Sequence, residues 1–211
     1  MTFVRTHRTT SLRVPEKLRY DKDVAFEVLD AGYICHLAYS TLDGPMILPT
    51  FYVRVDETLY IHGSTGCRLL LAARDSGVSV SFATTLHDGF VYSRSWFHHS
   101  ANYRCVVAHG RAHLVVDPEQ KLRALAALVD RLAPGRSEQS RPPTDKELSQ
   151  TGVLALPLTE VSVKTRSGGP GEDPDDLDLP YWAGVVPLHT VHGTPVGDDH
   201  VKVDVPSNLP R

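Results

Sequence analysis

Between residues 33 and 62 the chain runs through three apolar stretches, YICHLAYS, MILPTFYVRV and TLYIH, separated only by the short turns Leu42-Asp43-Gly44 and Asp56-Glu57. Strands joined by such short Gly- and Asp-containing turns are expected to pair as an antiparallel meander. Pro49 has no N–H to give to a ladder, so it marks an edge or a bulge within its strand. Further strand-like runs follow: VSVSFATT, GFVYSRSW, YRCVVAHGRAHLVV, VLALPL, VSVKT and YWAGVVPLHTV. Nothing alternates strand and helix over long stretches, which disfavours a Rossmann sheet. The pattern predicts an α+β fold, mainly β: a small barrel with peripheral helices.

The helices announce themselves through their ends. Asp21 is placed to cap a helix over residues 22–31, with Ala25, Val28 and Leu29 as its apolar stripe and Gly32 as its stop. The Leu- and Ala-rich CRLLLAARDSG predicts a second helix, with Gly77 as the glycine just past its end. Asp117-Pro118-Glu119 combines a cap, a first-turn proline and a first-turn acid, and predicts a helix ending near Leu132. Thr144 and Glu147 form a capping box for a short fourth helix. The stretch GGPGEDPDDLDLP is expected to be a solvated loop. These signals divide the chain into a basic N-terminal arm (1–20), one domain (21–196) and a C-terminal tail (197–211) expected to be frayed.

Composition narrows the function classes. The 211 residues carry 22 Lys+Arg and 25 Asp+Glu, a formal net charge of −3. A nucleic-acid binder would carry a basic excess, so nucleic acid is not an expected partner. No apolar run approaches the ~20 residues that span a bilayer, and the basic N-terminus lacks the apolar stretch of a secretory signal. Cys35, Cys67 and Cys105 form no Cys-x-x-Cys pair, which predicts reduced thiols and a cytoplasmic protein without a structural zinc site. His109 and His113 would lie ~13 Å apart in a strand, too far to share one ion, so no metal site is expected.

Two segments carry candidate chemistry. In LYIHGSTGCRLL a strand ends, a Gly63-Ser64-Thr65-Gly66 loop follows, and a helix opens with Arg68. Free amides, the positive end of a helix dipole, two hydroxyls and a guanidinium make such a place attractive to a phosphate. The alternative is an ordinary strand-to-helix turn with a solvent-facing arginine. The loop is neither a Walker A motif nor Gly-x-Gly-x-x-Gly. The second segment, SRSWFHHSANYR, is dense in polar, aromatic and basic residues without an amphipathic period. His98, His99, Asn102, Tyr103 and Arg104 are read there as the lining of a polar pocket. Residues that only hydrogen-bond a loop at the barrel rim would give the same pattern.

The order PTFY, LYIHGSTGCRLL, SRSWFHHSANYRCVVAHGRA, KTR and YWAGVVPL resembles the pyridoxamine 5′-phosphate oxidase-related flavoproteins, in the branch similar to nitroimidazole-resistance reductases. The resemblance runs from about Tyr20 to Leu188. It implies a split β-barrel that forms homodimers with FMN at the interface. It also implies that the flavin phosphate lies along His62, Ser64, Thr65 and Arg68, and the ring beside Ile47, Leu48, Pro49 and Thr50. Asn102, Lys164, Arg166 and Trp182 would complete the flavin pocket. Oxidases acting on vitamin B6 carry a second basic residue after the phosphate-binding arginine, where this chain has Leu69, and a lysine where it has Thr50. The expectation is therefore an FMN-dependent oxidoreductase passing a hydride or electron pair between flavin and a small organic molecule. His98, His99 and Arg104 are its candidate catalytic residues. A deazaflavin-dependent reductase and a non-catalytic flavin- or haem-binding module are the alternatives.

Overall fold

The computed structural model describes residues 1–11, 13 and 15–210; Leu12 and Val14 of the expected arm and Arg211 of the tail lie outside the described residues. Among the described residues the chain forms nine strands and four α-helices. In order they are β1 (Leu18–Arg19), α1 (Lys22–Ala31), β2 (Ile34–Thr41), β3 (Gly44–Val55), β4 (Thr58–Ser64), α2 (Arg68–Ala72) and β5 (Val78–Tyr92). Then come β6 (Ser100–Leu114), α3 (Pro118–Asp130), α4 (Asp145–Gln150), β7 (Thr151–Pro157), β8 (Glu160–Arg166) and β9 (Gly184–Pro187). All pairings between named strands are antiparallel.

The strands β6, β7, β4, β3, β2 and β5 pair in that order, and β5 pairs back to β6, closing a ring. Two strands are too long for one barrel wall: β5 and β6 have 15 residues each, or roughly 50 Å. Each therefore changes neighbours along its length. β6 pairs with β8 over Tyr103–His109 and with β7 at His113 and Leu114. β5 pairs with β2 through Val80–Ala83 and with β9 through Gly89–Tyr92. This exchange of neighbours splits the barrel, and the architecture is the mainly-β split barrel the sequence implied.

Alternating residues fill the interior. Leu37, Tyr52, Leu59, Phe82, Val106, Leu154 and Val161 are fully buried, and Ala25, Val28 and Leu29 of α1 pack among them. Tyr52 Oη donates to the Leu29 carbonyl at 2.7 Å, fastening the end of α1 to the barrel. Gly32 does more than stop that helix. A Cβ there would meet Thr84 Oγ1 at 2.7 Å and Tyr52 Oη at 2.9 Å, so the close seating of α1 requires glycine.

Several local expectations are refined. VSVSFATT and the Gly89–Tyr92 half of GFVYSRSW lie on one strand, with a register shift between His87 and Gly89 where two strands were expected, and Ser93–Trp96 fall outside it. Helix α2 stops at Ala72, where Ala73 N–H bonds the Leu69 and Leu70 carbonyls and tightens the turn. Gly77, at φ +76°, serves the entry into β5. The last strand is only Gly184–Pro187. In the arm, Phe3, Thr9 and Tyr20 are buried, Arg8 pairs with Glu160 of β8, and Tyr20 Oη donates to the Thr9 carbonyl. The acidic loop is anchored by Glu172, whose carboxylate accepts from Ser93 Oγ, the Arg94 amide and the Arg94 guanidinium.

Candidate functional site

Strand β3 pairs with β4 only over Tyr52–Val55, while β2 covers its other side from Gly44 to Phe51. β4 continues without β3, alongside β7, to Ser64. An open wedge results. One wall is the unpaired edge of β3 at Ile47, Leu48, Pro49 and Thr50, and the other is the end of β4 with its loop into α2. An unpaired edge offers backbone donors and acceptors to a ligand. Pro49, which lacks a donor, sits on this free edge as its chemistry requires.

The loop is held from below. Thr65 N–H bonds the Gln150 carbonyl at 3.0 Å, and Cys67 N–H bonds the Ser64 carbonyl at 2.9 Å. Leu70 of α2 packs over Gly63 and Gly152, which face each other across β4 and β7. A Cβ on Gly152 would lie 2.9 Å from Leu70 Cδ2, and one on Gly63 would lie 3.2 Å from Leu70 Cδ1. Two glycines thus let α2 settle onto the sheet and fix where Arg68 emerges. Among the described residues Arg68 has no side-chain hydrogen bond or ion pair, and it is exposed, as is Ser64. Helix α2 has five residues, too short for much of a dipole. An anion here would be held by Arg68, hydroxyls and first-turn amides, which have no intrahelical partners.

Behind the wedge, the outer face of β3 and β4 meets α3 across a cleft of about 900 Å³. Its lining includes Phe51, His62, Leu122, Leu125, Ala126 and Val129, with Arg123 and Arg141 at the rim. The sequence named only His62 of these. The spacing of Leu122, Leu125, Ala126 and Val129 at i, i+3, i+4 and i+7 shows an apolar face, but not that part of it stays uncovered. Hydrogen bonds set the walls: Lys121 Nζ to the Leu148 carbonyl, Ser137 to Asp130, and Arg141 to Glu147. The Arg141 guanidinium and the Thr144 cap together hold the Glu147 carboxyl down at about 2.

The other sequence-predicted residues gather elsewhere, where β5, β6, β8 and β9 meet. Asn102 is buried; its Oδ1 accepts from Arg166 and its Nδ2 donates to the Gly168 carbonyl. Arg104 forms a bidentate pair with Asp88 at 2.9 and 3.0 Å and approaches Glu27 at 3.5 Å. That pairing lowers the Asp88 carboxyl and raises the guanidinium. His98 pairs with Asp173 at 3.1 Å, and His99 Nδ1 lies 2.9 Å from the Ser95 carbonyl. Trp182 and His99 both contact the ring of Tyr92, at 5.7 and 6.0 Å between centroids. Lys164 is exposed on β8. Among the described residues, no hydrogen bond or ring contact joins this cluster to the wedge within one chain. Asp88 and Glu172 are the partners that sequence reasoning missed. No group of three or more His, Cys, Asp or Glu among the described residues could hold a metal ion.

A split barrel with a loop suited to a phosphate beside a free strand edge is the arrangement that the resemblance to flavoproteins implied. The family model for pyridoxamine 5′-phosphate oxidase matches residues 21–165, and the chain belongs to that family. No curated protein sequence matches it. Among solved structures it is similar to the flavocytochrome Anf3 from Azotobacter vinelandii: 34% identity over 96% of this chain and 95% of that one, with TM-score 0.90. It is likewise similar to a protein from Mycobacterium smegmatis described as binding FAD and haem: 33% identity, coverage of 91% and 95%, TM-score 0.86. A candidate 5-nitroimidazole antibiotic resistance protein from Bacteroides thetaiotaomicron shares the fold, with 18% identity, coverage of 70% and 85%, and TM-score 0.60. No helix among the described residues is long and apolar enough to cross a membrane.

Proposed function

We propose that this protein is a flavin-dependent oxidoreductase that holds its flavin in the wedge between β3 and β4 and carries haem as a second prosthetic group. The observation that carries the flavin reading is the wedge itself: a free strand edge facing a loop with hydroxyls, unpartnered helix amides and an uncommitted arginine. A flavin supplies hydride or electron-pair chemistry, while the protein binds and orients it. Arg68, Ser64 and Thr65 would hold a phosphate. The backbone of Ile47, Leu48, Pro49 and Thr50 would meet the polar rim of the ring. The haem reading is supported by the two full-length relatives, one described as a flavocytochrome and the other as binding FAD and haem.

FMN and FAD share the ring and the phosphate on its ribityl chain, the part that the wedge would accept. The single-phosphate cradle favours FMN, and the description of the Mycobacterium relative favours FAD. We also propose a homodimer. On the outer face of β2 and β3, Ile34 is 51% and Ile47 is 66% exposed beside Pro49, an apolar surface that a second copy would cover.

The purified protein is expected to show flavin absorption, and the flavin released by heat identifies FMN or FAD by mass. Losing a charge-assisted contact costs ~1.5–3 kcal/mol, about tenfold or more in affinity. Arg68→Ala should therefore release flavin more readily. Unchanged affinity in that variant removes the wedge assignment. Light scattering that gives a 23.3 kDa particle with flavin bound removes the homodimer.

A further inference from the structure

We propose that the cleft between α3 and the outer face of β3 and β4 is the haem site, with the imidazole of His62 as the iron ligand. The inference rests on the flavin-and-haem reading and says which residues of this chain would serve it. Three properties of the cleft fit the group. Its volume of about 900 Å³ is at the upper end of the range for sites that bury a cofactor-sized ligand. Its walls are largely apolar, with Phe51 on one side and Leu122, Leu125, Ala126 and Val129 on the other, matching a flat hydrophobic macrocycle. His62 is the one lining residue with an imidazole, thiol or thioether, and among the described residues its ring has no hydrogen-bond partner. Histidine is a common protein ligand to haem iron.

The rim suits the two carboxylates that such a macrocycle carries. Arg141 is engaged by Glu147 and held there in a bidentate pair. Among the described residues Arg123 is held only by Glu119, at 3.6 Å and in solvent, a pair of little worth. Its guanidinium is free to take a carboxylate. Glu138 is the opposing charge on the same rim, so one carboxylate is expected to be bound firmly and the other to stay in water. His62 immediately precedes the Gly63–Gly66 loop that begins the flavin wedge. The iron ligand and the flavin cradle are thus consecutive on one strand end, and the two groups would lie side by side.

The full-length protein, stripped of bound groups and titrated separately with hemin and with FAD, tests this. Wild type should bind hemin with a sharpened Soret band and an electron paramagnetic resonance spectrum showing one imidazole on ferric iron. His62→Ala should weaken hemin binding by about tenfold or more, the scale seen even for outer partners of a metal ligand, and added free imidazole should restore the spectrum. Ala126→Trp, which fills the cleft, should abolish hemin binding while flavin affinity stays unchanged. Arg123→Ala should weaken binding of hemin but not of its dimethyl ester. If wild type binds hemin and neither His62→Ala nor Ala126→Trp alters the Soret band or the affinity, the site is wrong although the haem reading stands. If wild type takes up flavin but no hemin, both the haem reading and this site are overturned.

Discussion

Replacing Gly152 by alanine tests how α2 is placed. The new Cβ would lie 2.9 and 3.0 Å from the Leu70 methyls, and Leu70 is 3% exposed, so it cannot swing into solvent. Overpacking of this kind costs about 1–3 kcal/mol, which for a chain of this size lowers Tm by roughly 2–12 °C. Relief is available if α2 lifts from the sheet and carries Arg68 with it. Losing about 1 kcal/mol of a charge-assisted contact worth ~1.5–3 kcal/mol weakens flavin binding about fivefold. Thermal unfolding of the apo-protein reads the first effect, and quenching of flavin fluorescence reads the second. The double variant Gly152→Ala with Leu70→Ala removes the clash and should recover much of the affinity, a coupling that a double-mutant cycle measures. Wild-type flavin affinity in Gly152→Ala, together with an unchanged Tm, would refute the claim that the glycine pair positions the arginine.

Three further outcomes follow from the geometry. Glu172→Gln should free the acidic loop, so limited proteolysis within residues 167–180 should accelerate; because bonds from the Arg94 amide lower this carboxyl, its anchoring is present above the ordinary carboxylate range and fades as pH falls through the lowered value. Burial lowers the His109 imidazole, whose Nδ1 lies 2.9 Å from Ser81 Oγ; its contribution is complete above the unfolded value near ~6.5 and is lost as pH falls through the lowered folded value, so His109→Gln should flatten the stability profile on the acid side of ~6.5, as read by denaturant midpoints. Cys35 is fully buried and its thiol is pushed up to about 12, so under native conditions an alkylating reagent should modify Cys67 and spare Cys35, as peptide mass mapping would record.

What was legible in the sequence is what local chemistry decides. Asp117 caps α3 by accepting from the Gln120 amide, and Thr144 and Glu147 form their capping box, because those interactions need only neighbours. The β-class was legible from strand texture and short turns, and the loop after His62 from the residue types themselves. What escaped depends on distant partners. Glu172 is buried by Ser93 and Arg94, 78 and more residues earlier, and no local pattern in an acidic loop foretells that. The 15-residue length of β5 was hidden because Asp88 and Gly89 interrupt it. Gly89 instead admits the backbone of β9, since a Cβ there would meet the Val186 carbonyl at 2.8 Å. The cleft against α3 was invisible for a similar reason: a helical stripe says which face is apolar, and only the packed chain says how much of that face is covered.

The position of β7 in the ring has a kinetic consequence. It closes the gap between β4 and β6, matching Tyr60 with Ala155 and Ile61 with Leu154, partners more than ninety positions apart in the chain. Until residues 151–157 are synthesised, the outer edge of β4 is an open template for another strand. Closing so long a loop before its contacts reward it slows folding towards the millisecond-to-second range of non-local β-topologies. During that interval a second nascent chain competes with β7 for the same edge, so yield of the native barrel should fall as the concentration of unfinished or refolding chains rises.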